Sequence, residues 1–220
     1  MQKYEKEFVG RKEELQKLLH YSKDEKVRVI CLHGETGVGK TALANVFVEK
    51  CDLKRFVSKE KHSAFRHWQM PSPSNSESDE LLDWFVSSLA VKIVDDASRN
   101  ATMQELVGSI LNKISKYNTL ILLDNVEDLD EVWLNEFVSN WLNTSGSSLL
   151  LLTTIEPNAF NAITNSGFVK YPIVGFKDDD QESILTLLGS DLRNRMDRKV
   201  LLDTSLKFVD GNRTPNNLQI

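Results

Sequence analysis

Eight residues, Gly34, Glu35, Thr36, Gly37, Val38, Gly39, Lys40 and Thr41, have the types and spacing to hold a phosphate chain. Glycines in such a run allow positive φ, so successive backbone N–H groups can turn toward one anion. Lysine then supplies a point charge for β- and γ-phosphates, and the threonine hydroxyl beside it can ligate Mg2+. Thr41 to Lys50 reads as a helix with Ala42 in its first turn, and the helix N-terminus adds partial positive charge. An accidental glycine-rich turn would not need the β-branched run before it or the helical pattern after it. A metal at this loop also calls for a carboxylate from a neighbouring strand. "LILLDN" offers Asp124 at a strand's C-terminal end, where ligands collect in open parallel sheets. Glu127 and Asp128 follow closely as further candidate catalytic acids.

The elements that must position these groups are readable from periodicity. Leu15, Leu18 and Leu19 in "RKEELQKLLHYS" share one face of an amphipathic helix. Val27 to Leu32 reads as the first buried strand, "SAFRHWQM" as a second, and "NTLILLDN" and "SSLLLLTT" as two more. Continuous apolar runs of this kind fit parallel strands covered on both faces, with helices alternating between them. Asp79 to Val94 and Thr102 to Lys116 read as such helices, and "PSPSNSES" as a loop. "GFVKYPIV" is expected at a sheet edge, because Pro172 has no N–H for a ladder. Beyond Gly175 only helical patterns occur. The expected architecture is therefore α/β, a parallel sheet sandwiched by helices over 1–174, followed by a small all-helical lid subdomain over 175–220.

Of the 220 residues, 40% are hydrophobic and 27% charged, the balance of a well-cored globular chain. The net charge of −5 disfavours a nucleic-acid binder that relies on bulk positive potential. Cys31 and Cys51 read as core thiols rather than a disulfide. The charged start "MQKYEKEFVG" has no apolar signal region, and no apolar run reaches the length of a membrane span, so a cytoplasmic location is the expectation. His62 and His67 are spaced poorly for a metal pair, and Trp84, Trp133 and Trp141 read as core or interface anchors. "NKIS" at Asn112 fails as a guanine-specificity motif in its last position.

Taken in order, these segments resemble the STAND class of P-loop ATPases, especially its NB-ARC branch, which is related to AAA+ enzymes. "EFVGRKEELQKL" is similar to the apolar-Gly-Arg segment that lies over the adenine in that family. "HGETGVGKTALA" resembles its phosphate loop, "NTLILLDNVED" its Walker B segment and "SSLLLLTTIEP" its sensor 1 strand. The resemblance implies base and ribose contacts from Phe8, Val9 and Arg11, and γ-phosphate sensing by Thr153 or Thr154. It implies ATP or ADP with Mg2+ as cofactors, Thr41 and Asp124 as metal ligands, and self-association with a homologous NB-ARC module as the mode of partnering. Protein signalling partners follow by the same analogy. "DGNRTPNNL" is similar to the family's Gly-x-Pro segment, which would put Pro215 near the adenine. An alternative alignment makes Arg213 resemble a sensor 2 arginine, and the sequence leaves the two open.

Two departures bear on chemistry. Asn125 stands where the family usually has a second acid, and an amide cannot serve as general base. Ile155 stands where a γ-phosphate-reading arginine usually follows the two threonines. What the resemblance implies is thus an ATP/ADP-binding switch controlling oligomerisation in signalling, in cell death or innate immunity by analogy, with weak ATPase activity at most. An active AAA+ ATPase of the origin-recognition or helicase-loader type and a pseudo-ATPase scaffold are the alternatives.

Overall fold

The computed structural model describes residues 10–51, 65–69, 83, 86–88, 90, 101–116 and 118–175. Five strands form one sheet in the order β2-β3-β4-β1-β5. They are β1 (Val29–His33), β2 (Phe65–Gln69), β3 (Leu120–Asp124), β4 (Leu149–Thr154) and β5 (Phe168–Pro172). Every pairing is parallel. The helices are α1 (Lys12–Tyr21), α2 (Lys40–Lys50), α3 (Met103–Lys116) and α4 (Glu131–Asn143). Residues 83, 86–88 and 90 are also helical.

Alternation along the strands divides two cores. Ile30, Leu32, Leu120, Leu122, Leu149 and Leu151 face α1 and α2, packing with Leu15, Leu18, Leu43 and Phe47. Val29, Cys31, Ile121, Leu123, Leu150 and Leu152 face α3 and α4, packing with Ile110, Ile114, Phe137 and Trp141. Burial on both faces is why these strands read as unbroken apolar runs. Cys31 and Cys51 are both buried free thiols, and burial pushes the Cys31 pKa up to about 12. The expected edge strand lies at the edge as β5, its Pro172 opposite His33. The first strand is displaced from the expected Val27–Leu32 to Val29–His33. The N–H groups of Arg28 and Val29 both converge on the Gly167 carbonyl, so ladder pairing starts only there.

Local chemistry sets the helix starts. Thr102 and Glu105 exchange bonds at the head of α3: Glu105 Oε2 accepts from the Thr102 N–H at 2.7 Å, and Thr102 Oγ1 accepts from the Glu105 N–H at 3.3 Å. Asp130 caps α4 by accepting from the Trp133 N–H at 2.8 Å. Trp141 is fully buried in the core, and Trp133, half-buried, packs against that core and stacks on Phe137 with 5.1 Å between centroids. Trp84, His62 and the side chain of His67 lie outside the described residues, as do residues 176–220 and with them the expected lid. Among the described residues no helix is long and apolar enough to cross a membrane.

Candidate functional site

At the C-terminal edge of the sheet, residues 34–39 leave β1 and enter α2. A Cβ on Gly34 would lie 2.1 Å from the Ile173 carbonyl oxygen, so the chain leaving β5 excludes any side chain there. Gly39, the residue before α2, sits at φ 93, and Gly37 at φ 79. These are the conformations in which loop amides converge on an anion. Glu35, Thr36 and Ala42 are exposed, and Val38 is buried against the α1–α2 core.

Lys40 is only 6% exposed, and its Nζ donates to the Gly34 carbonyl at 2.7 Å and the Glu35 carbonyl at 3.0 Å. Among the described residues it makes no ion pair. Burial lowers its pKa, while the charges of Glu127 and then Asp124 work in the opposite direction. An ammonium taken out of water and hydrogen-bonded only to neutral carbonyls, with carboxylates acting on it at longer range, is a charge that an anion would neutralise.

Asp124 is fully buried. Its Oδ1 accepts from Thr41 Oγ1 at 2.8 Å and from Thr153 Oγ1, whereas its Oδ2 is buried with no hydrogen-bond partner. A carboxylate oxygen orphaned in the protein beside a threonine hydroxyl fits a hard cation. Thr41 and Asp124 are the residues that would hold Mg2+. No group of three or more His, Cys, Asp or Glu suited to a metal occurs among the described residues. That donor set suits magnesium, which takes few carboxylates and completes its shell with phosphate and water.

β4 lies between β1 and β3, so its end sits between the loop and Asp124. Pleating separates its two threonines. Thr153 shares the face of Leu149 and Leu151 with α2, and its hydroxyl also accepts from the Asn125 N–H at 2.9 Å. Thr154 points to the other face and donates to the Glu156 carbonyl at 3.1 Å. Asn125 itself is left-handed at φ 60 and opens a 3-10 turn over Val126–Asp128. In that turn the Glu127 carboxyl is pushed above its ordinary range by desolvation, although its surface remains partly open to water. Its own backbone N–H, the Lys40 charge and the Ile155 N–H hold it down, and Asp128 adds to the rise. Ile155 meets the loop as well, its carbonyl accepting from the Gly34 N–H at 3.2 Å. Glu127 is thereby brought within electrostatic reach of Lys40, which its position three residues past Asp124 did not indicate.

Arg11 is 2% exposed. Its guanidinium donates to the Val38 carbonyl and the Val174 carbonyl at 2.7 Å each and pairs with Glu14 at 3.3 Å. Phe8, Val9, Arg213 and Pro215 lie outside the described residues. His33, half-buried at the end of β1, was not singled out by the sequence. Desolvation first, then the charges of Lys170 and Lys40, lower its pKa. A polar residue closing an apolar strand immediately before the loop was the available signal.

A family model described as "AAA domain" matches residues 23–159. Over 161 residues, 73% of this chain, the sequence is 26% identical to Disease resistance-like protein CSA1 of Arabidopsis thaliana, of which the match spans 13%. The fold is similar to that of a Signal Transduction ATPase with Numerous Domains (STAND) protein with a tetratricopeptide repeat sensor from Pyrococcus horikoshii. That likeness has a TM-score of 0.53 at 18% identity, over 94% of this chain and 28% of the other. The ORC1 protein of Aeropyrum pernix, solved in complex with DNA, is similar in fold with a TM-score of 0.53 at 16% identity, over 84% of this chain and 50% of the other. This chain thus spans a small part of the plant relative and half or less of each solved one. At these identities the likeness to the solved structures is one of fold.

Proposed function

The chain belongs to the AAA domain family, and from that premise we propose that it is a nucleotide switch that binds ATP or ADP with Mg2+, hydrolyses slowly, and self-associates according to the nucleotide held. The observation that carries this reading is the buried Lys40 ammonium, which makes no ion pair among the described residues, in a positive-φ loop whose Thr41 hydroxyl bonds the carboxylate that carries the orphaned Asp124 Oδ2. A di- or triphosphate with its metal satisfies both at once. Slow hydrolysis is supported by Asn125 in place of a second acid and Ile155 in place of an arginine. Both remove groups that would orient water or stabilise transferring charge.

A nucleotide gripped by the phosphate loop would favour one conformation of the protein, and differential affinity for ATP and ADP would shift it. The identity to the plant disease-resistance-like protein supports a role in innate immune signalling; a link to cell death, a cytoplasmic location and protein partners are carried over from the resemblance of the motifs to the NB-ARC branch. The placement of Glu127 favours a second reading, an active AAA+ ATPase of the origin-recognition type, because an acid near Lys40 is one component of turnover.

The test is to purify the protein, denature it, identify the released nucleotide, and assay turnover with fresh Mg-ATP. Co-purified ADP, negligible turnover and loss of retention in Lys40→Ala are expected. Turnover of several per second, stimulated by DNA, overturns the switch in favour of the second reading. Wild-type retention in Lys40→Ala removes the phosphate site itself.

A further inference from the structure

Arg11 joins three segments that are far apart in sequence. It precedes α1, one of its bonds ends on Val38 inside the phosphate loop, and another ends on Val174 just past β5. Its backbone is left-handed at φ 54 with no side-chain cap on α1, a conformation that a non-glycine residue holds only when its surroundings enforce it. Its planar fork is buried, and both carbonyl bonds are 2.7 Å, short for a guanidinium and well suited to fixing the peptide units they touch.

The Val38–Gly39 peptide is trans, as are all others described. In a trans unit the C=O and the following N–H point in opposite directions. Drawing the Val38 carbonyl out toward Arg11 therefore turns the Gly39 N–H the other way, away from Arg11. We propose that Arg11 is a positioning residue for the phosphate loop, holding the Val38 carbonyl so that the Gly39 N–H is aimed at the diphosphate of a bound nucleotide. Val174 anchors the fork from the other side. It follows Ile173, whose N–H donates to His33 at 2.7 Å and whose carbonyl abuts Gly34, so the brace is tied to both ends of the loop. The inference rests on the nucleotide-binding reading but differs from a direct contact of Arg11 with base or ribose, because the loop needs this brace whatever is attached to the phosphates.

Inorganic pyrophosphate and ADP, both with Mg2+, separate these roles when titrated calorimetrically into wild type, Arg11→Met and Arg11→Lys. Arg11→Met is expected to weaken both ligands by a similar factor, about tenfold, the loss of one charge-assisted bond's worth of orientation. Arg11→Lys, whose ammonium can still donate to one carbonyl, is expected to fall between. The Gly39 amide resonance is expected to move strongly on pyrophosphate addition to wild type and less in Arg11→Met. ADP weakened with pyrophosphate unchanged would assign Arg11 to the nucleoside and overturn the proposal. Lowered stability with both affinities intact would make it a structural residue only, with the same consequence. If Arg11→Met fails to fold, Arg11→Lys decides by whether its two factors agree. Failure of wild type to bind either ligand would remove the nucleotide reading itself, an outcome distinct from loss confined to the variants.

Discussion

The Thr153 hydroxyl donates to Asp124 Oδ1 while accepting the Asn125 N–H at 2.9 Å, so one side chain fixes both the carboxylate and the turn that follows it. Thr154, its neighbour, faces the opposite side of the sheet. Thr153→Val, close in shape but without the hydroxyl, is expected to reduce Mg2+-dependent ADP affinity several-fold more than Thr154→Val. Both should cost stability on the order of 1 kcal/mol, since each strands a polar partner. Equal effects on affinity in the two variants would show that Thr153 does not position the metal carboxylate.

Asn125 occupies the left-handed region at φ 60, where asparagine is tolerated and most residues are strained. Asn125→Gly is expected to leave stability within a few tenths of a kcal/mol, while Asn125→Ala should cost about 1 kcal/mol. Chemical denaturation of the two variants measures the difference. Alanine at no cost would mean that the residue's backbone demand is absent.

Glu127 carries the acid nearest in influence to Lys40, and whatever ATP turnover the protein has is expected to depend on it. Glu127→Gln should lower single-turnover hydrolysis at least about tenfold, within the range a positioned acid–base group contributes. ADP affinity should change little. An unchanged rate with Asp128→Asn reducing it instead would move the role one residue along the turn.

His33 gives the site a defined acid response. Its folded pKa lies below the ordinary 6.5, so near neutral pH both folded and unfolded forms are uncharged and it contributes nothing. Below 6.5 the unfolded chain takes up the proton first, and stability falls as the pH falls. His33→Gln should flatten that part of the stability profile. An anion beside Lys40 offsets one of the charges that repel the imidazolium, so ADP should raise the His33 pKa in an NMR titration. A free-protein value at or above 6.5 would contradict this account.

Much of the architecture was legible because it is written in short-range patterns. Unbroken runs such as "LILLD" and "LLLLTT" require cover on both faces, and Pro172 sends its strand to an edge, so the parallel sandwich and the place of β5 followed from composition and steric rules. The turn conformation of the loop at Gly34 to Thr41 was legible in the same way, since glycines at that spacing allow the positive φ that Gly37 and Gly39 adopt. Asn125 and Ile155 were legible only as missing groups. Their backbone roles, a left-handed turn and a bridge from Glu127 to Gly34, depend on conformation that residue type does not specify.

The sequence by itself determined that a glycine-rich loop opens a helix after a buried strand and that Asp124 ends another, because glycine freedom and apolar periodicity act over a few residues. Only the tertiary structure decided what those groups touch. Thr41 meets Asp124 across 83 residues of chain, Thr153 meets the Asn125 amide across 28, and Arg11 reaches Val174 across 163. Such pairings are set by strand order and register, which place β4 between the other two site strands and turn Thr153 rather than Thr154 toward the carboxylate. A one-residue change of register would reverse that choice while leaving every local pattern intact.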